Sequence, residues 1–375
     1  MKPVDVLIVG GGPAGLATAI AASRRGLSVA VVDYARPLID KTCGEGLLPA
    51  AVSALGDLGI PIGSLPSFPF KGIRFTDQRS SVEERFAGRA GLGVRRRELH
   101  RLLIERAKAI GVTLWWGVRP SGIETRGTWL DGVFLPCRWL VGADGSQSEV
   151  RKLAGLGSTW RPRTRFGFRR HFARRPWSDM VEVCWGDHAQ LFITPTGAEE
   201  VCVVVLTSDP RFRLDRALEY FPRIASRLRG APAVTRETGA ATFASRARRV
   251  ARGNIALVGD ASCSVDAISG QGLSLAFQEA LALTDAMAQE NLAAYQAAHA
   301  RITRNPVRVA RLLTMMDACT PLRRSVLRIW SRYPSPFSKL TSVHAGSADI
   351  PPRGEMISRQ GDDAAKLDGG VCEPG

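Results

Sequence analysis

Three things are scarce in this chain of 375 residues: long apolar runs, lysine and cysteines at metal-ligand spacing. No apolar stretch approaches the roughly 20 residues that a membrane-spanning helix needs. The N-terminal run Val4–Val9 carries Asp5 and ends at glycines, unlike the apolar core of a secretory leader, so a cytoplasmic location is the expectation. The seven cysteines (43, 137, 184, 202, 263, 319 and 372) are odd in number, widely spread and contain no C-x-x-C pair. Neither a disulfide framework nor a metal site is indicated, and reduced thiols are expected.

Only seven of the 51 basic residues are lysine, yet the formal net charge is +16. An arginine-rich surface raises the local concentration of anions, which include nucleotide phosphates, acyl carriers, anionic lipid and nucleic acid. The densest clusters fall at 161–175, 246–252 and 301–332, and none has the interleaved aromatics of a dedicated nucleic-acid module. A solvated or substrate-steering surface is the plain reading, with membrane-surface association through the basic C-terminal segment as an alternative.

What is present is a chain of ordinary globular composition, 45% hydrophobic and 23% charged, long enough for two to three domain-sized units. An apolar run at 4–9, a glycine turn, an alanine-rich helix over 14–25 and a second apolar run at 28–32 form a βαβ unit. Residues 43–75 are rich in glycine and proline and read as long loops around a site. An amphipathic helix is expected over 96–110, with Leu99, Leu102, Leu103 and Ala107 on one stripe. Between 166 and 206 the period changes to two, giving strands at 180–185, 190–194 and 201–206. The strand 255–258 and helix 273–289 return to the first domain. The expected fold is α/β: a discontinuous Rossmann-like domain (1–165 and 245–295) with an inserted antiparallel-sheet substrate domain (166–244). A basic helical segment (296–345), broken at Pro306, Pro321 and Pro334, and a mobile tail (346–375) follow.

Gly10-Gly11-Gly12-Pro13-Ala14-Gly15 matches G-x-G-x-x-G directly after a strand and at the head of a helix. Gly10 allows the tight turn, Gly12 leaves bare backbone for a pyrophosphate, and Gly15 lets helix and strand approach. Pro13 suits the first helical turn, and the free N–H groups from Ala14 onward offer positive charge to a diphosphate. Asp33, at the end of the second strand, is placed for a ribose 2′-OH and would repel a 2′-phosphate, so NADP is not the ligand of this turn. Downstream, a buried strand ends in Gly259-Asp260, and Gly270-Gln271-Gly272 heads the next helix. A flavin needs a carboxylate for its ribityl hydroxyls and a helix start for the negative charge of its reduced ring, which points to FAD.

With these motifs in hand, the sequence resembles the FAD-dependent monooxygenase and geranylgeranyl reductase superfamily, of the p-hydroxybenzoate hydroxylase type. Its GD motif is similar to Gly259-Asp260-Ala261, and its DG motif to Gly142-Ala143-Asp144-Gly145, which implies that Asp144 contributes to FAD and pyridine-nucleotide binding. Its R-x-x-L helix start is similar to Arg96-Arg97-Glu98-Leu99, which implies that Arg96 reaches the FAD phosphates or ribose. Asp144 also reads as a strand-end turn with Ser146 or Ser148 as a helix cap. Where aromatic hydroxylases of the family carry His and Pro, this chain has Cys263 and Ala267. The loop Cys43-Gly44-Glu45-Gly46 resembles that of the reductase branch, which lies beside the isoalloxazine. Cys43 is therefore a candidate for tuning the flavin or relaying a proton, or else a small buried hydrophobe. The resemblance also implies that residues 190–197, including Pro195, roof the flavin. Phe168, Trp185 and Phe192 are candidate linings of an apolar substrate cavity, with plain core packing as the alternative. The W-x-W-x-I-P motif of flavin halogenases is absent.

These readings converge on non-covalent FAD, reduced by NADH or NADPH that visits transiently because no second glycine turn houses it. Hydroxylation of an apolar aromatic or polyketide-like molecule comes first, and flavin-dependent alkene reduction second. A basic protein that keeps FAD structurally and contacts nucleic acid or membrane through 301–332 is the reading from another class. No oligomeric state follows from the sequence.

Overall fold

A computed structural model describes residues 2–124, 126–158 and 164–346. β1 (Val4–Val9) and β2 (Val29–Asp33) are apolar runs buried on both faces, as parallel strands between helices are. α1 (Pro13–Ser23) connects them; it starts on proline and is followed by Gly26 at φ +81, so it begins and ends where the sequence changes chemistry. Residues 43–75 are more regular than their glycine and proline content suggests. They hold α2 (Pro49–Asp57) and β3 (Gly72–Thr76), which pairs with β4 (Ser81–Arg85). Here the breakers punctuate short elements: Pro49 opens α2, and a Cβ on Gly72 would lie 2.3 Å from the Glu84 carbonyl oxygen across the ladder.

The chain continues through α3 (Arg96–Ala109), β5 (Thr113–Trp116) and β6 (Val133–Gly142). It then forms β7 (Thr164–Ala173), β8 (Val181–Trp185), β9 (Ala189–Gly197) and β10 (Glu200–Thr207). Two short helices, α4 (Leu214–Tyr220) and α5 (Pro222–Leu228), lead to β11 (Thr238–Phe243) and β12 (Ile255–Leu257). Four helices close the described chain: α6 (Gly272–Ala288), α7 (Leu292–Ala318), α8 (Thr320–Arg332) and α9 (Pro334–Ala345).

The first sheet has a parallel core, β12-β6-β1-β2-β5, extended by antiparallel strands at 251–252 beside β12 and at 120–124 and 127–130 off β6. The chain moves outward from β1 through β2 to β5 and then crosses to β6 on the other side of β1. That reversal leaves a crevice at the carboxyl ends of β1 and β6, where Val9 pairs with Gly142, and open α/β sheets take ligands at such a point. The second sheet runs β11-β7-β10-β9-β8-β3-β4. It is antiparallel except where β8 meets β3, and it is not confined to 166–244: the hairpin at 72–85 covers what would otherwise be the open edge of β8.

Alternation along these strands sorts the side chains onto two faces. Phe168, Val205, Leu191 and Cys184 share the outer face with α4 and α5. Trp185, Leu206 and, partly, Phe192 belong to an inner cluster completed by Leu313, Met316, Leu327, Trp330 and Phe337 of α7 to α9. Pro321 and Pro334 stand at helix starts as expected, but α7 runs through Pro306. Burial of Thr303, Val307, Val309 and Ala310 around that position outweighs the lost hydrogen bond. No helix among the described residues is long and apolar enough to cross a membrane. The expected tail, Cys372 with it, lies outside the described residues apart from Gly346, which ends α9 at φ +74.

Candidate active site

The turn after β1 is dictated by backbone contact. A Cβ on Gly10, whose φ is +113, would stand 2.3 Å from the Ala143 carbonyl oxygen, and one on Gly15 would stand 1.8 Å from that of Gly10. Gly12 differs: nothing lies within 4 Å of where its Cβ would be, so its bareness leaves room for something outside the protein. The first turn of α1, which holds Pro13 and Ala14, carries no acidic residue, leaving the helix dipole free to meet an anion. Asp33 braces this turn. Its Oδ2 accepts from Gly11 N–H at 2.7 Å and its Oδ1 from Ala35 N–H at 2.7 Å, and its remaining lone pairs suit a ribose hydroxyl.

A second brace was not visible in the sequence. His100, inside α3, donates from Nε2 to the Gly11 carbonyl at 2.8 Å and accepts at Nδ1 from Ile39 N–H at 3.1 Å. Burial pushes its pKa below the ordinary histidine value, so the ring stays neutral and holds this tautomer. The amphipathic stripe of the helix marks residue 100 only as neighbour to Leu99, and nothing links it to a turn 89 positions earlier.

Asp144 serves as a cap. It accepts from Ser148 Oγ at 2.5 Å, Glu149 N–H at 2.7 Å and Val150 N–H at 3.1 Å, and Ser148 in turn accepts from Arg151 N–H. Arg151 then reaches the carbonyls of Ser146 and Ala261, tying this loop to the one after β12. There Gly259, at φ +61, sits so close to α1 that a Cβ would be 2.6 Å from that of Ala14. Its N–H donates to the fully buried carboxylate of Glu279 at 2.6 Å, which also takes the Ser262 hydroxyl. Ser262, His299 and Glu279 have the composition of a hydrolytic triad. All three are sealed, and Ser262 and Glu279 both approach the same His299 nitrogen, so the cluster braces the Gly259 loop.

Asp260 points toward the same crevice with its side chain 31% exposed, and Lys41 Nζ is 2.7 Å from its Oδ2. Burial alone would raise its carboxyl, but the Lys41 ammonium, helped by Arg96 and the Ser264 hydroxyl, holds it below the ordinary range. Gly270, at φ +62, and Gly272 lead into α6, again with open space at their Cβ positions, and α6 packs against α1. Gln271 is buried and donates from Nε2 to the His344 carbonyl of α9 at 3.1 Å.

Arg96 opens α3. Its backbone N–H donates to Glu45 Oε1 at 2.9 Å, while its side-chain Nε is buried without a hydrogen-bond partner. Its charge bears on Cys43, His100 and Asp260 together. The Cys43 loop is moored on all sides. Lys41 holds Asp260, Thr42 meets Thr238 at 3.3 Å, and Asp40 and Glu45 both engage Arg169 at 2.9 Å. Glu45, left-handed at φ +57, is buried and also accepts from His171 Nε2 at 2.6 Å. Burial pushes the Cys43 thiol above its ordinary pKa despite Arg96, so Sγ keeps its proton at neutral pH. Glu45, His171 and Cys202 bring three potential metal ligands within 4.8 Å, a grouping that cysteine spacing could not reveal. Here Glu45 is already satisfied by Arg169 and His171.

The four substrate-cavity candidates separate. Trp185 and Phe192 face inward, Trp185 being sealed against Phe75 and Phe192 half-buried. Phe168 faces outward under the Arg213 guanidinium, 4.3 Å from its ring, and Pro195 pairs with Val201 of that same outer cluster. Phe168 is thus corrected to outer core, because strand alternation puts it opposite Arg169, the residue that faces the Cys43 loop.

Two observations fit FAD to these residues: the open cradle at Gly12, and a buried guanidinium nitrogen on Arg96 with no protein partner. Helix heads from the two ends of the first domain, α1 and α6, serve one crevice, which is what a Rossmann-type flavoprotein oxidoreductase requires. The chain belongs to the family described as FAD binding domain, whose match spans residues 3–314. It is 30% identical over 298 residues to a menaquinone reductase of Mycobacterium tuberculosis, covering 72% of each chain. It is 27% identical over 320 residues to a 6-methylpretetramide 4-monooxygenase of Streptomyces rimosus, covering 74% of this chain and 73% of that one. In fold it is similar to a geranylgeranyl bacteriochlorophyll reductase-like protein of Thermoplasma acidophilum. The TM-score is 0.73 at 20% identity, over 92% of this chain and all of that one. The protein is an FAD-dependent oxidoreductase.

Proposed function

We propose that this flavoprotein is an NAD(P)H-dependent monooxygenase that hydroxylates an apolar aromatic or polyketide-like molecule. One observation carries the reading: the inner face of the second sheet is apolar around Phe192, closed by α7 to α9, and bordered by carboxylates that are already paired. Asp260 is held by Lys41, Asp266 by Arg165, and Glu45 by Arg169 and His171. A site without an idle acid or base suits chemistry in which the protein orients the substrate and excludes water. FAD, when bound, supplies the redox chemistry, taking electrons from a nicotinamide and passing them to molecular oxygen. The chain's own part is to hold the diphosphate at the head of α1, the ribose at Asp33, and the far end of the cofactor at Asp260 and the head of α6. The similarity to a 6-methylpretetramide 4-monooxygenase supports the monooxygenase reading.

Alkene reduction is the second reading, favoured by Cys43. Adding hydrogen across a double bond takes a hydride and a proton, and Cys43 Sγ holds a proton in a loop moored between Asp260 and Arg169. The similarity to a menaquinone reductase supports it. The test is NADH or NADPH consumption with a panel of apolar aromatic and quinoid compounds, in air and without oxygen. Hydroxylation predicts incorporation of oxygen from labelled gas and no product when oxygen is excluded. Product under strict anaerobiosis, lost in Cys43→Ala, would assign the reductase instead.

A further inference from the structure

Between residues 292 and 345 the chain holds nine basic residues and a single acid. That acid, Asp317, is turned inward onto Arg165 at 2.6 Å, so it neutralises nothing on the outside. The outward row of α7, at 301, 304, 308 and 311, is arginine throughout and reaches exposed Met315 one turn later. On α8, Arg324, Arg328 and Arg332 form one row. Ile329 and Tyr333 lie in the row beside it, 52% and 59% exposed. The opposite side of α8, with Leu327 and Trp330, is buried in the inner cluster.

We infer that the outer face of α7 and α8 docks on an anionic lipid bilayer. Charge complementarity selects this occupant. Arginine rows attract a negatively charged surface at long range, and apolar tips that no neighbouring element covers enter the interfacial layer once contact is made. Tyr333, with the Arg332 guanidinium 6.0 Å from its ring, has the amphipathic character of residues at that depth. A nucleic acid would meet the arginines but gain nothing from Met315 and Ile329, and Tyr333 is a single ring, not the series of rings on which successive bases stack. Docking in this orientation sets α7 and α8 between the bilayer and the inner sheet face. On the reading proposed above, an apolar substrate would then pass from lipid to site across one layer of helices.

The test is co-sedimentation of the FAD-loaded full chain with vesicles of phosphatidylcholine alone and of equimolar phosphatidylcholine and phosphatidylglycerol. Binding is expected to the mixed vesicles only and to fall steeply with salt. In the triple variant Arg308→Glu/Arg328→Glu/Arg332→Glu it should weaken by at least about 100-fold, at about one kcal/mol for each charge near the surface. Ile329→Ser/Tyr333→Ser should weaken it by about 10-fold while leaving the charge unchanged. Both variants should stay yellow and consume NAD(P)H as the parent does, which keeps this test separate from that of the catalytic reading. Equal binding to both vesicle types, no binding at low salt, or undiminished binding by the charge-reversed variant would overturn the inference. So would a preference for duplex RNA over the mixed vesicles through the same arginines.

Discussion

The two walls of the candidate site are built by opposite means. The cofactor wall is made of backbone: Gly10, Gly12 and Gly15 remove side chains so that a strand end, a helix head and a ligand can meet. The opposite wall, apolar around Phe192, is framed by buried charge, with Glu45, Arg169 and His171 at the Cys43 loop and Arg165, Asp266 and Asp317 beneath the inner cluster. A backbone cradle is stable without its ligand and depends on no particular partner. A buried ionic lattice has given up hydration on every member, so it holds only while all partners are present. The first wall thus tolerates an empty state, and the second fixes one loop conformation.

That contrast is most easily broken at Glu45. Glu45→Ala leaves the buried Arg169 with Asp40 as its one carboxylate and His171 Nε2 without its acceptor, and should cost about 3–5 kcal/mol of stability, read as a shift of the urea midpoint. Glu45→Gln, which keeps the shape and part of the hydrogen bonding, should cost clearly less. Equal losses for the two would show that the charge is immaterial. The next effect sits where α9 meets the head of α6. Burial depresses the His344 pKa to about 4, so the folded ring stays neutral while the unfolded chain gains a proton near the ordinary value of about 6.5. Stability from this group is complete above that ordinary value and is lost as pH falls through about 4, by about 3 kcal/mol. His344→Gln should flatten that acid slope. An unchanged slope would place the titrating group elsewhere.

The same contrast explains what could be read from the sequence. Backbone sites are written in contiguous glycines, so the turn at 10–15, the Gly259-Asp260 strand end and the 270–272 helix head were all legible, as was the change of period at 166. The hairpin at 72–85 escapes such a reading because its first strand closes the glycine- and proline-rich stretch 43–75, although Gly72 is there for strand approach. The charged wall left no local trace: Glu45 and His171 are 126 residues apart, Lys41 and Asp260 are 219 apart, and only the fold brings them together. Phe168 stays open between cavity lining and core in the sequence because an aromatic in a strand carries no sign of which face it occupies until the register is known.

On the cofactor wall, Gly12→Val should leave the far-ultraviolet spectrum and thermal midpoint unchanged, since the added atoms enter open space. FAD affinity should fall by about 100-fold, about 2.7 kcal/mol, because that space belongs to the diphosphate. A fully loaded variant would mean that the cradle faces the wrong way.

The smallest effect lies where the two walls touch, at the Lys41–Asp260 pair. Asp260→Ala should lower flavin occupancy in a protein that remains folded, and unchanged occupancy would remove Asp260 from the cofactor site. The pair itself is partly exposed, so its contribution to stability should not exceed about 1 kcal/mol. Its sign is fixed by the depressed Asp260 carboxyl: the contribution is present above the ordinary aspartate value of about 4 and is lost as pH falls below it. Lys41→Met removes the ammonium that offsets burial, so the carboxyl should take up its proton at higher pH. Release of FAD on acidification, followed by flavin fluorescence, should then begin at higher pH in Lys41→Met than in the parent. Coincident release curves would mean that Lys41 only tethers the Cys43 loop, and that the two walls meet without sharing charge.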